Sequence, residues 1–177
     1  MTRPRFRAGR SAARGRPDDG IVVEVVDRQK LLRLSPAWLR RAVSRGMAAI
    51  GVERAEITVL LVDDRGIAAL HDRWLGIPGP TDVITFDLAD DTAAGLEGDI
   101  AVSTETARRM ARELGWQPRH ELAYYVMHGL LHLAGDDDQH PAARRRMRAR
   151  ERLVMEAAGL PRPPRRRRAA ASRGGSR

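Results

Sequence analysis

The segment HGLLHLAGDDDQHP, His128 to Pro141, places two histidines four residues apart, then Gly135, three consecutive aspartates and a third histidine, His140. On a helix, His128 and His132 project from one face about one turn apart. That is the usual way a helix offers two imidazoles to one zinc ion. Leu130, Leu131 and Leu133 surround the pair, so core histidines bonded to backbone carbonyls are the rival reading. The spacing and the acids that follow favour the metal. Zinc hydrolases of the H-E-x-x-H design carry a glutamate general base directly after the first histidine. Here that position is Gly129, which disfavours a peptidase of that design. Two residues compete to complete the site. In zinc sites of the form H-x3-H-x2-G-x2-H the third ligand follows the glycine by three residues, which here is Asp138. A carboxylate oxygen binds zinc at ~2.0–2.2 Å, much as an imidazole nitrogen does. His140 is the alternative, but Pro141 follows it and HPAARRRM reads as the start of another helix.

The elements that must hold these side chains alternate early and cluster late. IVVEVVD (21–27) reads as a strand, and Ser35 with Pro36 opens a helix through AWLRRAVSRGMAAIG. AEITVLLVD (55–63) is a buried strand, and DRGIAALHDRWLG (64–76) a helix. DVITFDL (82–88) and GDIAVS (98–103) are strands. Ser103 caps TETARRMARELG. QPRHELAYYVMHGLLHLAG is a long helix ending at Gly135, and HPAARRRMRARERLVMEAAGL is another. The pattern predicts an α/β (α+β) single domain, a small mixed sheet packed by helices, with the histidine pair on a central helix.

Composition limits the rest. Aromatics make up 4% of the chain, so aliphatic side chains must fill the core. Cysteine is absent, which excludes disulfides and thiolate metal sites. No apolar run approaches the ~20 residues needed to cross a bilayer. The net charge of +9 sits in the tails. Residues 1–20 hold six Arg against two Asp, residues 161–177 hold seven Arg and no acid, and residues 21–160 are left slightly acidic. The Arg-rich start has the composition of a transit peptide, but a disordered basic tail is the preferred reading at both ends. Such tails attract polyanions without sequence specificity, so they are expected to contact nucleic acid, with a solubilising role as the plainer reading.

HGLLHLAGDDD resembles the signature of the YbeY endoribonuclease family, H-G-x-L-H-L-x-G-Y-D-H. GPTDVITF (79–86) resembles its P-T-D-V-L-S-F strand, and GDIAVS its G-D-I segment. The resemblance spans about residues 21–160. It implies one zinc ion per chain held by three side chains, and metal-dependent cutting of single-stranded RNA. It also implies a role in maturing the end of the small-subunit ribosomal RNA and in ribosome quality control, in the cytoplasm. Three departures stand out. The family's third histidine falls at Asp138 and its tyrosine at Asp136. Its loop arginine falls at Leu75, with Ile77 where lysine is frequent, leaving Arg73 or Arg65 as substitutes.

Thr85 lies where the family has serine, and its hydroxyl is a candidate substrate contact. A strand threonine chosen for β-propensity is the plainer reading. Asp82 is expected to bind a backbone amide in its turn. Glu121 reads as a helix N-terminal charge, and His71 and His120 as surface histidines. Two other functions stay open: a non-catalytic ribosome-assembly factor with a structural metal, and a zinc hydrolase of another substrate class.

Overall fold

The computed structural model describes residues 6, 20–89 and 95–164. The basic tails expected at 1–20 and 161–177 lie outside these, apart from Phe6, Gly20 and residues 161–164. The chain runs β1 (Ile21–Asp27), α1 (Pro36–Ala49), β2 (Ala55–Val62), α2 (Asp64–Leu75), β3 (Val83–Asp87), β4 (Leu96–Ser103), α3 (Thr104–Leu114), α4 (Pro118–Leu133) and α5 (Pro141–Ala157). Every expected element is present, and β4 begins two residues earlier than the sequence pattern suggested. The helix starts have local causes. Ser35, Asp63 and Ser103 each accept a hydrogen bond from a first-turn amide, from Trp38, Gly66 and Thr106 respectively, which satisfies donors the helix cannot pair itself.

The sheet is mixed. Its order is β1-β2-β4-β3, with β1, β2 and β4 parallel and β3 antiparallel to β4 at one edge. Both faces are covered, so β2 reads as a nearly continuous apolar run. On one face Ile57, Val59, Leu61, Ile100 and Val102 pack with side chains of α1, α4 and α5. On the other, Leu60, Val62, Ile84, Phe86 and Ala101 pack with Ile67 of α2 and with Phe6. Phe6 meets Phe86 edge-on at 5.5 Å, and its amide donates to the buried Asp99 carboxylate at 2.8 Å.

Helix α4 lies at the centre, touching α1, α3, α5, β3 and β4. Two glycines let it sit close to the sheet. A Cβ on Gly129 would come within 2.9 Å of Thr85 Cγ2 and 3.1 Å of carbons of Ile100 and Val83. A Cβ on Gly98 of β4 would meet Leu133 Cδ1 at 2.7 Å. Position 129 therefore has no room for the glutamate of a zinc peptidase, which strengthens the argument its sequence made. Glu121 lies in the first turn of α4, the helix N-terminal charge expected, and is fully buried there. Its carboxylate accepts from Trp116 Nε1 at 2.8 Å.

A polar cluster ties the starts of α2 and α3. Asp64 accepts hydrogen bonds from Ser103 Oγ, from Thr106 Oγ1 at 2.8 Å and from Arg109 at 3.1 Å. Burial acts to raise the Asp64 pKa, but these three hydrogen bonds and the Arg109 charge outweigh it and leave the pKa below its ordinary 3.8. A lowered folded pKa stabilises the protein above the unfolded value, and that contribution disappears as pH falls through the folded one. Asp64→Asn is expected to flatten the acid limb of a stability-against-pH curve below pH 3.8. An identical acid limb in the variant would mean the cluster does not couple to folding. Gly129→Val is expected to destabilise by about 1–3 kcal/mol through overpacking, read by denaturant unfolding. An unchanged midpoint would show that α4 can lift from the sheet at no cost.

Candidate metal centre

Helix α4 ends in a way that brings the chain back over its own last turn. Gly135 adopts φ +87°. Its amide donates to the His132 carbonyl, and the Asp136 amide to the Leu131 carbonyl at 2.9 Å. These two bonds around a left-handed residue form a Schellman termination. The reversal carries Asp136 to Asp138 back beside the histidines. One nitrogen or oxygen atom from each of His128, His132 and Asp138 lies within 4.8 Å of the other two. His140 is not in this group. It is exposed and occupies the N-cap position of α5 without a side-chain capping bond.

The hydrogen bonds behind the histidines decide which nitrogen each ring presents. His132 Nδ1 lies 3.0 Å from the Asp136 carbonyl oxygen. A carbonyl can only accept, so this Nδ1 carries the proton. His128 Nδ1 lies 2.8 Å from Glu151 Oε1 of α5, so it too is the donor to a carboxylate. Each ring then turns its Nε2 toward the other across 3.2 Å, with the rings perpendicular. A metal ion between two such nitrogens takes a lone pair from each. Two donors each about 2.0–2.1 Å from one tetrahedral zinc stand about 3.3 Å apart. The observed separation matches that edge, so these residues fit a metal ion of this kind.

Helix α5 grips the whole centre. The buried Glu151 carboxylate also accepts from Tyr124 Oη at 3.0 Å. Arg150 pairs with the Asp136 carboxylate at 3.0 Å. Arg144 donates from Nε to the Asp138 carbonyl at 3.0 Å, and from a terminal nitrogen to the Gln139 carbonyl at 3.3 Å. None of Glu151, Arg150, Arg144 and Tyr124 was singled out from sequence. In RRRMRARERL their charges look like those of a solvated helix face. The available signal was Glu151, one helical turn after the apolar Met147 and three residues before Val154.

The other expected residues fall as follows. Thr85 is half-buried under α4 with its methyl against Gly129. Asp82 Oδ1 accepts from its neighbour's amide, Val83, at 2.9 Å, the structural role expected of it. His71 is half-buried at the surface, and its Nδ1 meets the Gly79 carbonyl at 2.9 Å. His120 is likewise half-buried, against Trp116, and burial together with the Arg119 charge lowers its pKa. Leu75 and Ile77 are 53% and 50% exposed, so the loop offers apolar side chains to solvent where a cation was looked for. Arg73 stacks over Trp74 at 5.2 Å.

A mixed sheet with a histidine pair on its central helix and a carboxylate on the following turn defines an α+β protein with a possible metal site. Comparison with known proteins agrees. The family model described as Endoribonuclease YbeY matches residues 24–159. This chain belongs to that family. A protein named Endoribonuclease YbeY from Anaeromyxobacter sp. (strain Fw109-5) is 43% identical over 123 residues, 69% of this chain and 64% of the relative. Another of that name from Roseiflexus sp. (strain RS-1) is 40% identical over 116 residues, 60% of this chain and 72% of the relative. The chain thus spans just under two thirds of the length of the first of these. The solution structure of TM1509 from Thermotoga maritima has the same fold, with a TM-score of 0.54 and 22% identity over 82% of this chain and all of that one.

Outer hydrogen bonds that fix ligand tautomers are worth roughly 10–100-fold in metal affinity. Glu151→Gln is expected to weaken divalent-metal binding by about that factor, measured by competition with a chromogenic chelator. Wild-type affinity in this variant would mean that the bond behind His128 does not orient it.

Proposed function

We propose that this protein is a zinc-dependent endoribonuclease that cuts single-stranded RNA in ribosomal RNA maturation. The observation that carries the reading is the convergence of two imidazole nitrogens and a carboxylate, in a chain of the endoribonuclease YbeY family. His128, His132 and Asp138 would hold the ion. A zinc ion with three protein ligands and an open position supplies Lewis acidity, lowering the pKa of water and offsetting charge on phosphodiester oxygens. The chain's own part is to keep that donor set rigid. Glu151 and the Asp136 carbonyl lock each ring's tautomer and raise the donors' basicity. Asp138 in place of a third imidazole makes the set one charge more negative, which leaves water at the ion less acidic. Among the described residues no helix is long and apolar enough to cross a membrane.

A second reading has one specific observation behind it. Leu75 stands exposed where the family resemblance places an arginine that meets RNA phosphate, and Ile77 stands exposed where lysine is frequent. An assembly factor with a structural metal would need no such cation. Cleavage decides between the two.

His128→Ala is expected to lower metal content from about one zinc per chain to near none and to abolish cleavage of single-stranded RNA. Chelation and zinc restoration should switch the wild-type activity off and on. Zinc-loaded wild type that leaves RNA intact would support the assembly factor instead. Among single variants, Asp138→Ala is expected to lose the metal, whereas His140→Ala keeps it. Loss in the second alone would put the third ligand at His140.

A further inference from the structure

Helix α5 carries six arginines and two glutamates. Its buried and half-buried charges are committed: Arg144 to the 138–139 carbonyls, Arg150 to Asp136, Glu151 to His128. Arg145, Arg146, Arg148 and Arg152 are exposed, and none of them enters an ion pair among the described residues. Arg144, Arg148 and Arg152 follow one another at i, i+4 and i+8, with Arg145 alongside, so they line one edge of the helix. At 1.5 Å per residue this edge extends about 12 Å. It begins at the metal centre, since Arg144 holds the Asp138 carbonyl. Beyond Arg152, Glu156 approaches Arg162 at 3.8 Å. Like charges at i, i+4 repel and reduce helix stability, so this row does not serve folding.

We propose that the Arg145–Arg148–Arg152 edge of α5 is a docking track for the sugar-phosphate backbone of single-stranded RNA, leading the strand to the His128/His132/Asp138 centre. The proposal rests on the RNA-cleaving reading above and deepens it. Charge complementarity selects the occupant: three unpaired guanidiniums in a row match a chain of phosphates, and guanidinium recognises phosphate by paired hydrogen bonds. The α2–β3 loop, with Leu75 and Ile77 exposed, offers no cation at those two positions, so phosphate affinity must come from elsewhere. Of the acidic turn, Asp136 is already offset by Arg150. Contacts to phosphate alone carry no base information, so the track is indifferent to sequence.

The test uses the full chain and a fluorescently labelled single-stranded oligonucleotide with 2′-O-methyl riboses, which blocks cleavage that uses the 2′-hydroxyl. Affinity is measured across a salt series for wild type and for Arg145→Ala/Arg148→Ala/Arg152→Ala. Each phosphate contact on a single strand contributes about 0.7 to the log–log salt slope. The variant should therefore have a slope shallower by about 2 and bind roughly tenfold more weakly at low salt. Its metal content and thermal midpoint should equal wild type. On cleavable RNA its KM should rise while kcat is retained. Arg40→Ala/Arg41→Ala/Arg112→Ala removes the same charge from exposed positions on α1 and α3, and should keep the wild-type slope.

A wild-type slope and KM in the α5 variant, with RNA still cut, overturns the track and leaves the nuclease reading standing. So does an equal drop in the control variant, which would mean diffuse attraction. Tighter binding of polyglutamate than of RNA would reassign the edge to an acidic protein and overturn the proposal. Binding that depends on the edge in a wild type that cuts nothing would keep the track and remove the nuclease reading.

Discussion

Two imidazole nitrogens held facing each other 3.2 Å apart are the constraint on which this structure turns. Left alone, such rings would be free to turn. Here neither can, because each is anchored from behind: His132 by a carbonyl of the turn that follows it, His128 by a carboxylate 23 residues further along the chain. The anchors need fixed supports. The turn's geometry depends on a left-handed Gly135. The carboxylate depends on α5 packing against α4, through Met147, Val154 and Met155 in the same core as Leu122, Val126 and Leu130. The spacing between two nitrogens is thus set by helix packing on a sheet.

The two helices divide the work by their surroundings. Helix α4 is enclosed by the sheet and three other helices, which removes rotational freedom from the histidine-bearing segment. It gets close enough only because Gly129 and Gly98 leave out the carbons that would hold it off. Helix α5 faces inward with Glu151 and outward with arginine. Its inward charges are matched by hydrogen bonds or opposite charge, as burial requires. Its outward ones need no such partner, since water solvates them.

The acidic run at 136–138 shows how identical side chains acquire different tasks. Asp136 uses its carbonyl to hold His132 and its carboxylate to meet Arg150. Asp137 accepts the Gln139 amide and shapes the turn. Asp138 reaches the histidines. Three adjacent negative charges would repel one another in the unfolded chain. Folding turns them toward three different surroundings.

The sequence by itself determined the order and type of the elements and the histidine pair, because those follow from near-neighbour rules. Caps at Ser35 and Ser103, the apolar run of β2, and His128 and His132 one turn apart each need only a few consecutive residues to be read. Gly135 announced the reversal for the same reason, since a helix end is a local event. Only the tertiary structure decided what lies across a gap in the chain. Glu151 could not be told from its arginine neighbours until α5 was docked on α4. Glu121 likewise gave no sign that it would be buried beside Trp116. His71 and His120 read as surface histidines and keep intermediate exposure, but the contact of His71 with the Gly79 carbonyl was not legible. Which of Asp138 and His140 comes to lie beside the histidine pair depended on the path of a short turn and on Arg144 and Arg150 pulling it toward α5. A charged side chain has the same local preferences on a wet helix face as on a buried one. The difference is made by what packs against it, and that is a property of distant parts of the chain brought together.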